Sequence, residues 1–139
     1  MTRIDFYITR NEETLGRELF TCRLAHKVFG LGQLLHIHAD DETQLARLDE
    51  LLWTFSDTSF LPHARLGAKP GAPITLDCVG APEPAPELLI NLAPDIPAFF
   101  SRFARLAEVI GADTASRETG RAHFRFYRDR GYALQVHNL

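Results

Sequence analysis

The chain has 139 residues, 45% of them apolar and 24% charged, with a formal net charge of −3. A chain of this length and apolarity folds as one domain, residues 1–139, burying about two-thirds of its unfolded surface, enough for a core without metals or disulfides. Disorder, a membrane span of ~18 apolar residues and a basic nucleic-acid coat are excluded, and two lone cysteines (Cys22, Cys78) behind a charged, strand-like start predict a protein of the reducing cytoplasm.

Residues 4–9 are aromatic and β-branched and read as a first strand. Residues 14–30 follow as a helix, with Leu15, Leu19, Cys22 and Phe29 at helical spacing and Gly30 as its stop. Residues 33–38 form a second strand, carrying His36 and His38 on one face. Asp40, Asp41 and Glu42 then crowd a helix start, where carboxylates cap free N–H groups, and Leu45, Leu48 and Leu52 carry that helix towards Trp53. All eight prolines lie between Leu61 and Ala98, which makes this window loop-rich. Within it, residues 73–79 and 88–92 read as strands around a Pro82-Glu83-Pro84-Ala85-Pro86 loop. Pro97 suits the first turn of a helix bearing Phe99, Phe100 and Phe103. Residues 108–110 are a strand, 115–130 a helix and 132–137 the last strand. The alternation predicts a three-layer α/β fold whose mostly parallel sheet is joined by right-handed crossovers.

Such a fold invites a search for a phosphate loop, and there is no nucleotide-binding loop to find. The loop after the first strand is acidic and has no glycine before Gly16, and Gly30-Leu31-Gly32 precedes a strand instead of following one. The only lysines are Lys27 and Lys69. His36 and His38 supply two ligands where a metal needs three or four, with Asp40 and Asp41 committed to the helix start; both histidines are expected at the sheet rim. His63 is read in a loop without a serine or cysteine partner. Cys22 and Cys78 read as buried packing groups. No catalytic set, cofactor or metal is expected.

The last helix is more informative. With Arg117 at zero on a wheel of about 100° per residue, Arg121 falls at about 40°, Arg125 at 80° and Arg128 at 20°. Phe124, at about −20°, sits beside them, whereas Ala115, Ala122 and Phe126 lie opposite and are expected to face the core. Residues 117–130 hold five arginines against Glu118 and Asp129, a net of +3 that leaves −6 on the rest of the chain. Such a stripe suits a solvated face, a nucleic acid or an acidic peptide; an aromatic ringed by arginine forks favours a carboxylate-rich chain end. A second feature is residues 51–63, where the only tryptophan, Trp53, and Phe55 and Phe60 cross a helix end into a loop, as an interface patch does.

Several blocks together carry a resemblance. They are Phe6-Tyr7; Asp49-Glu50-Leu51-Leu52-Trp53 followed by Ser59-Phe60-Leu61-Pro62-His63; Gly71-Ala72-Pro73-Ile74; and Arg121-Ala122-His123-Phe124-Arg125-Phe126-Tyr127-Arg128 with Gly131-Tyr132. In this order and over essentially the whole length, the chain resembles the chi subunit of the bacterial DNA polymerase III holoenzyme. The resemblance implies a Rossmann-like fold without catalysis of its own. It implies pairing with the psi subunit, which links chi to the clamp loader, and binding of the acidic C-terminal tail of single-stranded-DNA-binding protein, so that DNA is met only indirectly. It places Arg117, Arg121, Phe124, Arg125 and Arg128 at the tail site. Trp53, Phe60, Leu61, Pro62 and His63 match the family's face for psi or an accessory helicase. The family commonly has tyrosine where Phe124 stands and lysine where Arg125 stands, which keeps the cation and removes a phenolic hydrogen bond. The rival classes are a small cytosolic α/β enzyme using His36 and His38, and a direct single-stranded-DNA binder.

Overall fold

A computed structural model describes residues 1–10, 14–57 and 60–139. Asn11, Glu12 and Glu13 of the acidic loop, Thr58 and Ser59 of the aromatic segment, and the Thr14 and Leu15 side chains lie outside the described residues. In chain order the elements are β1 (Arg3–Ile8), α1 (Thr14–Gly30), β2 (Leu35–His38), α2 (Glu42–Thr54), β3 (His63–Arg65), β4 (Ile74–Asp77), β5 (Leu88–Asn91), β6 (Arg105–Ile110), α3 (Thr114–Asp129) and β7 (Leu134–Asn138). Among the described residues, seven strands make one sheet in the order β3-β4-β2-β5-β6-β1-β7, and every pairing is parallel.

Parallel sheets need cover on both faces, and central strands accordingly read as unbroken buried runs. β2 and β5 are buried at every position. One face carries α1 and α2, whose Cys22, Ala25, Val28, Leu45, Leu48 and Leu52 meet Ile37, Leu76, Ile90 and Val109. The other carries α3 and the 92–104 connection, with Ile4, Phe6, Leu89, Phe100, Phe103, Leu106, Ile110 and Tyr127 as its core. The fold is therefore the three-layer α/β arrangement expected.

Local chemistry sets the ends of these elements. Asp41 is the N-cap of α2 and accepts from Gln44 N at 2.8 Å, while the Gln44 side chain accepts from Asp40 N at 2.7 Å, a reciprocal cap. After α1 the chain turns at Gly32, whose φ of 77° is in the left-handed region that glycine adopts freely. The buried Glu18 of α1 receives Arg47 of α2 as a fork at 2.7–3.1 Å and locks the two helices together.

Three expectations change. The segment after Pro97 makes only a 3-10 turn, Phe100–Arg102, because its phenylalanines fold back onto the sheet before a second turn can form. His63 opens a short edge strand, β3, and so leaves the loop assigned to it. Cys78 lies one residue past β4 and is half-buried, its Sγ 3.6 Å from Glu42 Oε1.

Candidate functional site

The N-cap of α3 is Asp113, which accepts from Ser116 N at 3.0 Å; the Ser116 hydrogen bonds hold its carboxyl below the usual carboxylate range. The helix buries Gly120, His123 and Tyr127. Ala115 and Ala122, expected in the core, are exposed, and Phe126 is half-buried against Phe100 with the Arg130 guanidinium 3.6 Å above its ring.

This turn of the helix has a polar cause. Glu108 of β6 is fully buried and accepts from Tyr127 Oη at 2.7 Å and from Asn91 Nδ2 at 3.2 Å on both oxygens. His123 Nε2 donates to Pro94 O at 2.7 Å and turns Nδ1 to 3.1 Å from Glu108 Oε2. Burial opposes charging of His123, yet the Glu108 carboxylate and the Pro94 carbonyl hold it above its ordinary pKa. The Tyr127 hydroxyl is pushed up by burial and by the same carboxylate. Gly120 brings the helix close: a Cβ there would sit 3.1 Å from the Ile110 side chain.

That rotation puts Phe124 at the margin of the core. It is half-buried, its ring 5.5 Å from that of Phe6, and one edge faces an open groove between α3 and β7 of about 260 Å³. Phe6, Ile8, Ile110, Phe124 and Val136 make the groove apolar; Arg117 and Arg121 stand over it, with Asn138 at its end. Arg125 and Arg128 are exposed beyond it, and Arg128 pairs with Asp129 at 3.2 Å. Among the described residues, Arg117, Arg121 and Arg125 have no ion-pair partner in the protein. The groove-lining Val136 and Asn138 escaped the sequence reading; only the polar–apolar alternation of the last strand hinted at Val136.

At the opposite edge of the sheet, Trp53 at the end of α2 is 45% exposed and its ring centroid lies 4.1 Å from that of His63. His63 is buried, with Nδ1 2.6 Å from Leu61 O and Nε2 2.9 Å from Asp49 O. Phe60 is 75% exposed, Pro62 is exposed and Leu61 is buried. Trp53, Phe60 and Pro62 thus form a surface, with Leu61 and His63 beneath it as supports.

The strand histidines are core residues instead of rim residues. His36 is fully buried and bonds Thr75 Oγ1 at 2.6 Å and Gly80 O at 3.0 Å; burial lowers its pKa to about 4. His38 is also buried and shifted down by burial, edge-on to Phe99. Among the described residues no three His, Cys, Asp or Glu side chains converge as a metal site. The crevice at the C-terminal ends of β5 and β6, where doubly wound folds hold nucleotides, measures about 150 Å³ and is lined by Asp40 and Glu108. Arg17 closes it by donating to Val109 O at 3.1 Å and Leu92 O at 2.8 Å. The carboxylates of this crevice repel phosphate, and the Arg17 guanidinium is engaged with backbone carbonyls.

Residues 1–135 match the family described as DNA polymerase III chi subunit, HolC. The chain belongs to the DNA polymerase III chi subunit family. Among chi relatives it is 39% identical over 139 residues to DNA polymerase III subunit chi of Pseudomonas aeruginosa, spanning 100% of this chain and 98% of that one. It is 29% identical to the Haemophilus influenzae chi subunit over 96% of this chain and 95% of that one, and 27% identical to the Escherichia coli chi subunit over 98% and 97%. Of solved structures, that of T4 UvsW superposes with a TM-score of 0.67 at 10% identity, covering 99% of this chain and 42% of that one; the likeness is one of fold. A chi-family chain is an accessory subunit of the replicative polymerase, so DNA replication is the process it serves. No helix among the described residues is long and apolar enough to cross a membrane.

Proposed function

We propose that this chi-family chain is a non-catalytic cytoplasmic tether. Its α3 groove holds the acidic C-terminal tail of single-stranded-DNA-binding protein, and its Trp53 face holds psi, through which it joins the clamp loader. An accessory helicase competes for the same face. The observation that carries the reading is the groove: Arg117 and Arg121, which have no ion-pair partner among the described residues, line an apolar cleft, a pairing that suits a chain end with one apolar side chain and several carboxylates. Exposed arginine–carboxylate pairs contribute only ~0.2–1 kcal/mol each, so specificity needs the desolvated side chain in the cleft. A micromolar contact is expected, strengthened by avidity when several tails belong to one DNA-coating oligomer.

Phe124 supports the reading differently from the family's usual tyrosine. Its ring is seated on Phe6 and offers an apolar edge without a hydroxyl, so it supplies apolar contact while the arginines meet the carboxylates. The test is calorimetric titration of a tail peptide with a free C-terminal carboxylate. Arg121→Ala and Arg117→Ala are each expected to weaken binding by up to about fivefold, and Phe124→Ala more. Unchanged affinity in all three overturns the assignment. Co-elution with psi, lost in Trp53→Ala/Phe60→Ala, tests the second face.

A further inference from the structure

The outer edge of β7 lies directly beside the groove. Among the described residues β7 is last in the sheet and pairs only with β1. The ladder bonds Ile4 N→Ala133 O and Leu139 N→Ile8 O fix which backbone groups that pairing uses. In a parallel strand both polar groups of a residue point to the same side and alternate along the chain. Ala133, Gln135, His137 and Leu139 therefore face β1, while the N–H and C=O of Leu134, Val136 and Asn138 point outward, away from the sheet. The same positions carry the side chains that border the groove: Val136, which is 44% exposed, and Asn138 line it.

The two edges of the sheet are protected differently. β3 has three residues, follows Pro62 and is flanked by the Arg65–Glu42 ion pair at 2.9 Å. β7 has five residues and no proline, lysine or arginine, the devices that usually keep an edge from pairing. Its far end is held by Arg10, which donates to the Leu139 carbonyl. Among the described residues the edge is thus anchored at both ends and unpaired along its outer side.

We propose that the groove takes its ligand as an extended strand added to β7, an eighth strand of the sheet. The occupant is an acidic peptide, because the charged groups that line the groove beside the free edge are Arg117 and Arg121. This rests on the tail-binding reading and adds its backbone geometry. Main-chain hydrogen bonds to Leu134, Val136 and Asn138 supply register, alternate peptide side chains drop onto Phe124 and Val136, and carboxylates between them reach the arginines. It explains why one short helix face suffices: backbone groups of β7 supply part of the binding surface.

The test uses the full chain and an acidic tail peptide. Val136→Pro removes one outward N–H without touching the β1 ladder, as edge strands tolerate; Val136→Ala controls for the side chain. Val136→Pro is expected to lower affinity at least fivefold beyond Val136→Ala, with circular dichroism and melting temperature unchanged. Peptides N-methylated at alternate residues provide an arm that needs no variant: methylation in one register abolishes binding, and methylation shifted by one residue leaves it within twofold. If both registers bind as the unmodified peptide does while Arg121→Ala still weakens binding, strand addition is wrong and the tail reading stands. If Arg121→Ala, Arg117→Ala and Phe124→Ala also bind as wild type, the tail reading falls with it.

Discussion

At the scale of single residues the chain hides its polar chemistry inside the sheet. His36 spends both ring nitrogens on Thr75 and Gly80 and stays neutral in the fold. In the unfolded chain its imidazole takes up a proton near pH 6.5; in the folded protein burial delays this to about pH 4. Between those values the unfolded state binds the extra proton, so acid favours unfolding, by up to roughly 3 kcal/mol at pH 4. His123 acts with the opposite sign: its raised pKa gives stability that is full below about pH 6.5 and fades as pH rises through the folded value. Comparing urea melts of wild type and His36→Gln from pH 7 to 4 isolates the first effect. The variant is expected to lose less stability across that window than wild type, and parallel curves would show that His36 is not buried neutral.

The placement of α3 is decided at the scale of the element. The four tethers of Glu108 come from Tyr127, His123 and both contacts of Asn91, and two of those residues belong to α3. Tyr127→Phe removes a buried hydrogen bond to a charged carboxylate, a type worth about 1.5–3 kcal/mol. A loss of that size in urea unfolding, with tail affinity falling in parallel as the helix rotates, is expected; a loss below about 0.5 kcal/mol would mean that Glu108 does not seat the helix. The same tethers explain what was legible beforehand. Hydrophobic spacing located α1 and α2, because their contacts with the sheet are made by apolar side chains. On α3 it found the helix but not its inward face, because that face is glycine, histidine and tyrosine, and the carboxylate that anchors Tyr127 lies 19 residues away in sequence. Counting apolar residues put Ala115 and Ala122 inside. The arginine stripe itself was readable, since charge spacing needs no knowledge of the core. β3 was missed because three residues carry no period. Trp53, Phe60 and Pro62 were readable as a patch, but only the fold divides them from the supporting Leu61 and His63.

At the scale of the whole molecule the two candidate surfaces occupy opposite edges of the sheet, β7 at one and β3 at the other. Six strand spacings of ~4.8 Å separate those edges by roughly 30 Å. This exceeds the ~8–10 Å over which exposed charges act on one another in physiological salt. A rigid sheet without a hinge between the edges gives neither partner a differential hold on the other. The surfaces are therefore expected to be energetically independent: Trp53→Ala/Phe60→Ala should leave the affinity for an acidic tail peptide within about twofold of wild type, and saturating peptide should leave association with psi unchanged. The two contacts should also respond differently to salt. Raising the concentration from 0.05 to 0.5 M is expected to weaken the tail about tenfold, because a few exposed ion pairs of ~0.2–1 kcal/mol are screened, whereas the Trp53 face, built from apolar rings, should hold. Titrations of each partner across that salt range, alone and with the other present, measure both properties at once. A shared salt response would place charge at the Trp53 face, and mutual displacement would mean that the two partners meet on one surface.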